Sequence, residues 1–333
     1  MNYREFVKRC LLCFLLSTGL YGCVMSIPAH NLPQYTAEQI PAPSNKIAAS
    51  YVVKGFYWTG ENQRWNATLY QEIHDVLLQS KGFDLVTSDK VAGGYHIFFY
   101  LRTDADGSNL SQISSMLSLY TLGILPGHVR TNYSLVVEVR QGEEPIKYYV
   151  YQDQTSDWMQ ILLLPVALIN PPQQTHKTIV DNMLRNFVHD FIEDQHSGVL
   201  AKKNNAVSLP VKPDQDHAVI YIIRPSMFAT QRRTVIHLDG KGDDTIMGYN
   251  HGSQYIYFSV EPGEHRILAQ DMEASTWVAT SVEAAKGEVY FFSQDWVDGQ
   301  RGERSRFTKI DAREAMAELL LAQPGTMRTN QGE

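Results

Sequence analysis

The side chains able to do chemistry are few and widely spaced. His189 and His196 stand seven apart, about two turns of helix, with Asp190, Glu193 and Asp194 between them. That set has the donors of a metal site, although a solvated polar face of a helix is the simpler account. The histidines form no H-x-H or H-E-x-x-H pattern. Ser253 in "NHGSQ" lies two residues after a histidine among polar neighbours, but no G-x-S-x-G elbow surrounds it, so a loop serine is expected. The acid pairs Glu143-Glu144 and Asp243-Asp244 fall in turns, where carboxylates are solvated and cap backbone amides. Arg301, Arg304 and Arg306 share "DGQRGERSRF" with Asp298 and Glu303. Guanidinium forks suit a carboxylate-rich partner such as cell-wall peptide, while a charged hairpin loop explains them more simply. The phosphate-cradling G-x-x-x-x-G-K-[ST] is absent, and "GKGDD" lacks the spacing of a dinucleotide loop. No cofactor, no metal and no catalytic residue is therefore assigned.

Cys23 is the remaining reactive group, and its surroundings are specific. Arg4, Lys8 and Arg9 precede an apolar run from Cys10 to Leu20, too short to span a bilayer and arranged as an export signal. The run ends in Leu20-Tyr21-Gly22-Cys23, which resembles the lipobox of bacterial lipoproteins. Tyr21 stands where that family has a small residue, and Gly22 supplies the small residue before the cut. The resemblance implies cleavage between Gly22 and Cys23 and acylation of Cys23. Cys10 and Cys13 would leave with residues 1–22, so the mature chain would hold one thiol and no internal disulfide. Attached acyl chains would anchor the protein without a spanning helix. Val24 is not the aspartate that retains many such lipoproteins in the inner membrane, which points to the outer membrane facing the periplasm.

The formal net charge is −7 over 333 residues, 44% of them hydrophobic. Residues 1–22 hold three basic side chains and one acid, so the mature chain stands near −9. An acidic balance argues against a nucleic-acid partner.

The fold class expected is α+β: a mixed α/β domain with an antiparallel sheet, then an all-β sandwich closed by a terminal helix. Residues 23–49 carry the lipidated cysteine and then Pro28, Pro33, Pro41 and Pro43 among polar residues, and are expected to form a tether lifting the body off the membrane. The mixed domain is assigned to 50–196, a linker to 197–215, the sandwich to 216–311, and a helix and tail to 312–333. Within the first domain "YVVKGFYW", "FDLVTS" and "YHIFFYLRT" suggest strands, and Trp65, Leu69, Ile73, Val76 and Leu77 share a helix face. "YSLVVEVRQ" and "IKYYVYQD", joined by "GEEP", predict an antiparallel hairpin. Ile179, Val180, Met183, Leu184, Phe187, Val188, Phe191 and Ile192 give a closing helix one wide apolar stripe.

Two apolar runs flank that hairpin, "MLSLYTLGILPG" (116–127) and "WMQILLLPVALI" (158–169). Because the ends of an antiparallel pair lie side by side, both must emerge at the same end of the sheet. Filling a core beneath the closing helix is the ordinary expectation for such runs. The alternative is a membrane or partner contact through Leu119, Leu122, Ile124, Leu125, Trp158, Ile161, Leu162, Leu163 and Leu164.

In the second half, "AVIYIIRP", "RTVIHLDG", "QYIYFSVEPGEHRILAQ", "WVATSVEA", "GEVYFFSQDWV" and "RFTKI" read as short strands, and "DAREAMAELLLAQPG" as a helix with an aspartate at its start. Gly240 is expected to supply a positive backbone angle and Pro262-Gly263 a turn. Over roughly residues 216–311, "VIHLDGK", "YIYFSVEPGEH" and "GEVYFF" resemble an uncharacterised bacterial β-sandwich domain related to PEGA-type surface repeats. That resemblance implies an attachment or recognition module and carries over no catalytic residue. "LYTLGILPG", "YSLVVEVR" and "WMQILLLPVAL" are similar to envelope lipoproteins of unknown role.

The function expected is that of a lipid-anchored, non-catalytic envelope protein binding other envelope proteins or cell wall. Its rivals are a hydrolase acting on cell wall or lipid, and an accessory subunit of an envelope transport or secretion assembly. A deep polar pocket lined by two convergent carboxylates or a Ser–His pair would mark the hydrolase.

Overall fold

The structure is a computed structural model. It describes residues 24–43, 47–57, 60–61, 63–80, 82–87, 91, 93–105, 109–121, 123–163, 172–201, 208–225, 232–272, 276–297 and 304–328. Cys23, the whole signal-like segment, Leu122 and Leu164 lie outside the described residues, as do Asp298, Arg301 and Glu303.

The N-terminal half is built on a seven-stranded sheet ordered β1-β7-β6-β5-β2-β3, with β4 also paired to β2. Its strands are β1 (Val24–Pro28), β2 (Ile47–Tyr57), β3 (Gly60–Glu61), β4 (Phe83–Thr87), β5 (Tyr95–Ala105), β6 (Gly127–Gln141) and β7 (Glu144–Met159). The predicted hairpin is β6 and β7, antiparallel from Gln141↔Glu144 to Gly127↔Met159. The sheet is mixed, because β2 runs parallel to both β5 and β4. Helices α1 (Gln63–Gln79) and α3 (Pro172–His196) cover one face. The predicted stripe of α3 is buried throughout, packed with Leu69, Ile73 and Leu77 of α1 against Phe99, Leu135 and Val137. α2 (Asn109–Tyr120) lies apart from this core, against β6.

The tether expectation is corrected. Val24–Pro28 form the edge strand of the sheet, in antiparallel register from Val24↔Met159 to Pro28↔Thr155. Beyond it the chain stays on the body: Asn186 donates to Pro33 O, Arg185 donates to Tyr35 O, Tyr35 stacks on His189, and Ile40 is buried. Pro28 ends β1, and the segment after it is laid across α3, held by backbone carbonyls of Pro33 and Tyr35 that a polar helix face bonds.

The C-terminal half holds two five-stranded sheets, ordered β13-β12-β9-β10-β17 and β15-β14-β8-β11-β16. The strands are β8 (Ala218–Arg224), β9 (Thr234–Leu238), β10 (Ile246–Asn250), β11 (Gln254–Val260), β12 (Gly263–Asp271), β13 (Trp277–Ala284), β14 (Val289–Val297), β15 (Arg304–Ile310), β16 (Gln323–Pro324) and β17 (Thr326–Met327). Ile220, Ile222, Ile236, Ile256 and Ile267 fill the space between the sheets. The terminal helix α4 (Ala312–Leu321) is capped by Asp311, whose side chain accepts from Glu314 N.

α4 does more than close the sandwich. Ala315 and Leu319 pack on Tyr221 and Phe291 of the sandwich, while Ala317, Leu320 and Leu321 pack on Phe98, Tyr100 and Val136 of the first sheet. The helix is thus a layer shared by both halves. That explains why β5 and β8 are buried along nearly their whole length and carry continuous apolar runs, since a strand covered on both faces has no solvent side to alternate with.

Candidate functional site

The most distinctive surface is the end of the first sheet where β1 begins, β6 begins and β7 ends. α2 packs there with its polar side inward. Ser111 and Ser114 donate to His128 O at 2.9 and 3.1 Å, and Ser118 donates to Met159 O at 3.0 Å. The close approach needs Gly127, where an added Cβ would sit 2.7 Å from Ser118 Cβ. Facing away from the sheet are Leu110 (80% exposed), Leu119 (72%) and Tyr120 (79%), with Ile113, Met116 and Leu117 beside them. Ile124 (69%) and Leu125 continue the surface through the following turn, and Leu162 (76%) adds to it from the short 3-10 turn Ile161–Leu163. Trp158 is exposed at its border and packs on the His128 ring, 4.6 Å between centroids. From Leu110 to Gly127 the chain has no charged residue, nor has it from Trp158 to Ile169.

The core expectation for these runs is therefore overturned where their side chains are described. Leu119, Ile124, Leu125, Trp158 and Leu162 are exposed and Leu163 is half-buried, while the side chain of Ile161, like Leu122 and Leu164, lies outside the description. The cause is local. Serines at spacing i, i+3, i+7 satisfy carbonyls at the strand ends, which turns the leucines outward.

A second feature is a cleft of about 260 Å³ at the junction of the two halves, bordered by Arg102, Asp104, Gln152, Ser253 and Glu318. Arg102 is buried. Its Nε donates to both oxygens of Asp104 at 3.1 Å, and its Nη1 donates to Glu318 at 2.5 and 2.6 Å. Tyr100 also donates to Glu318. Burial raises the carboxyls of Asp104 and Glu318 above the usual range, opposed in both by Arg102. These two carboxylates converge, but on a guanidinium that both already bind. They act as a clasp between α4 and β5, joined by Lys54–Glu314 and by Arg313–Glu138 at 3.4 Å.

In the sandwich, the sequence signals Asp-Gly and Pro-Gly-x-His meet in space. His265 Nδ1 lies 2.7 Å from Asp239 Oδ2 and its Nε2 lies 2.7 Å from Glu261 O. Asp239 Oδ1 accepts from Arg266 N at 2.7 Å. The positive angle belongs to Asp239 (φ 58°) rather than to Gly240, a correction to the turn expectation. Gly240 is required instead for space, because a Cβ there would come within 2.6 Å of Thr245 Cγ2. Gly263, at φ 142°, does occupy the region that favours glycine.

Residues 214–305 match the family described as "Protein of unknown function (DUF2846)". No curated protein matches the chain. Among solved structures, a PelC dodecamer from Paraburkholderia phytofirmans is similar at 10% identity, over 50% of this chain and 98% of that one, with a TM-score of 0.25. The rare lipoprotein B of Shewanella oneidensis is similar at 9% identity, over 46% of this chain and 96% of that one, with a TM-score of 0.23.

The other predicted positions resolve as follows. His189, Asp190 and Glu193 bring ligand atoms within 4.8 Å of one another, without His196. Asp190 accepts from Tyr151 at 2.8 Å and lies 3.1 Å from His189 Nδ1, and Asp194 accepts from Tyr149 at 2.6 Å and from Lys147. Burial first, then these aspartates, push both tyrosine hydroxyls far above the phenol range. The acids of α3 thus tie the helix to β7. Ser253, at φ 60°, turns the chain from β10 into β11 and borders the cleft. Asp243 and Asp244 are exposed in a 3-10 turn whose carbonyls accept from Arg328. Glu143 and Glu144 are exposed at the β6–β7 turn, Arg306 is exposed on β15, and the Arg304 side chain is outside the description. No described helix is long and apolar enough to cross a membrane.

Sequence reasoning did not identify Arg102, Glu318 or the serines of α2. Signals for them existed: an arginine ending the continuous run "YHIFFYLR", and serines at helical spacing inside an otherwise apolar stretch.

Proposed function

We propose that this is a lipid-anchored, non-catalytic protein of the cell envelope, acylated at Cys23, most simply in the outer membrane, with its sandwich turned toward an envelope or cell-wall partner. One observation carries the reading: the residue following Cys23 is already locked into the sheet, opposite Met159, at the uncharged end of the molecule. An acylated cysteine there would place its chains beside the surface that, among the described residues, gathers the most exposed apolar side chains. β13 ends the hydrogen-bonded order of its sheet among the described residues, and a terminal strand of this kind is where a partner segment would add.

Fractionation of cells tests the anchor. Wild type is expected with membranes, and Cys23→Ser is expected in the soluble fraction or as uncleaved precursor. A Cys23→Ser protein that stays membrane-bound at mature size ends the reading.

A further inference from the structure

We infer that the uncharged end of the first sheet, made by α2, the turn after it and the Ile161–Leu163 turn, is itself a membrane-inserting surface whose occupant is the lipid bilayer. This deepens the anchored-protein reading and rests on it for orientation. Three observations select the bilayer. Val24 lies directly across from Met159, so the residue bonded to it, Cys23, adjoins this end of the sheet and not the far hairpin. Since consecutive Cα atoms are about 3.8 Å apart, acyl chains on Cys23 would hold this end against the membrane. The side chains, up to 80% exposed, stand on a helix and two turns, and the chain carries no charge from Leu110 to Gly127. So uncharged an apolar surface suits a fluid acyl phase, whereas a protein interface carries a polar rim with direct hydrogen bonds. The polar groups beneath are satisfied: Ser111, Ser114 and Ser118 bond strand carbonyls, and Thr121 donates to Leu117 O. Insertion would therefore bury aliphatic surface without stranding those hydroxyls. Trp158, apolar with a polar tip, borders the surface where it packs on the His128 ring, the kind of side chain that favours a headgroup layer.

The test uses the full protein purified from its membrane and placed in vesicles of phosphatidylethanolamine and phosphatidylglycerol. With Cys23 acylated, Leu119→Cys, Leu162→Cys and Glu143→Cys each present one thiol for a nitroxide. The labels at 119 and 162 should collide with dissolved oxygen and be shielded from an aqueous nickel chelate about tenfold relative to the label at 143, as expected for side chains below the headgroups. Equal nickel access at all three sites overturns the proposal. Shielding from both reagents with label-to-label broadening also overturns it, in favour of a second copy of the chain. The mass of the amino-terminal peptide reports the anchor separately. An unacylated terminus with both labels still buried would remove the anchor and leave the surface, whereas an acylated terminus with both labels open to nickel would do the reverse.

Discussion

At the scale of single residues, His265 shows how a short motif becomes a structural device. Both ring nitrogens face acceptors, the Asp239 carboxylate and the Glu261 carbonyl, so both must carry protons for the two bonds to exist together. Partial burial disfavours the charge, but these two acceptors outweigh it and raise the pKa above the usual histidine value. The sign follows. A raised folded pKa means stability that is complete below the ordinary histidine value and lost as pH rises through the folded one. The midpoint of urea unfolding of wild type should therefore fall toward that of His265→Ala as pH increases past the histidine range. Because the pair is largely solvent-screened, the low-pH difference should be about 1 kcal/mol. A gap that stays constant from pH 5 to about 9, well past the range in which histidines titrate, would show that the ring acts by packing alone.

Among the elements, α4 and α2 work in opposite ways. α4 brings Glu318 to a buried guanidinium, and Glu318→Ala would remove the carboxylate that Arg102 Nη1 bonds. Breaking a buried pair on one side costs about 3–5 kcal/mol, and that loss should appear in urea denaturation. Replacing Arg102, Asp104 and Glu318 together by apolar residues of similar size should recover most of it, since no uncompensated charge of the cluster then remains. A triple replacement as unstable as Glu318→Ala would deny that the loss comes from the stranded guanidinium. The raised carboxyl of Glu318 also has a direction: relative to Glu318→Gln, wild type should lose stability as pH climbs out of the carboxylate range, because burial penalises the ionised form in the fold. α2 depends on Gly127. Gly127→Val would force the helix off β6 and break the serine contacts, which should raise amide exchange in 111–120 while β5 and β8 stay protected.

For the molecule as a whole, the geometry sets a height. β7 has sixteen residues, which at about 3.3 Å each places the Glu143-Glu144 turn roughly 50 Å from the apolar end. With that end seated in the bilayer, a donor dye at residue 143 should lie about 45–50 Å above the headgroups, by energy transfer to a lipid acceptor. A dye found within about 20 Å would mean that the sheet lies flat. Burying a large apolar side chain contributes about 1.5–3 kcal/mol, so the protruding leucines could add several kcal/mol to an anchor without replacing it.

Residue pattern alone determined β2, β4 and β5, the β6–β7 hairpin, β8, β9 and β11 to β15 of the sandwich, the buried stripe of α3 and the capped terminal helix, because each is written in local periodicity and turn chemistry. It also placed both apolar runs at one end of the sheet, since antiparallel pairing fixes where hairpin ends go. Only the tertiary structure decided that those runs face outward, since the direction a helix turns depends on the carbonyls its serines find. The same holds for the proline-rich segment, which becomes part of the body through bonds to α3, and for α4, whose two sets of partners are far apart along the chain. Contacts at such separation leave no mark in local spacing, and what they leave in composition is a strand greasy on both sides.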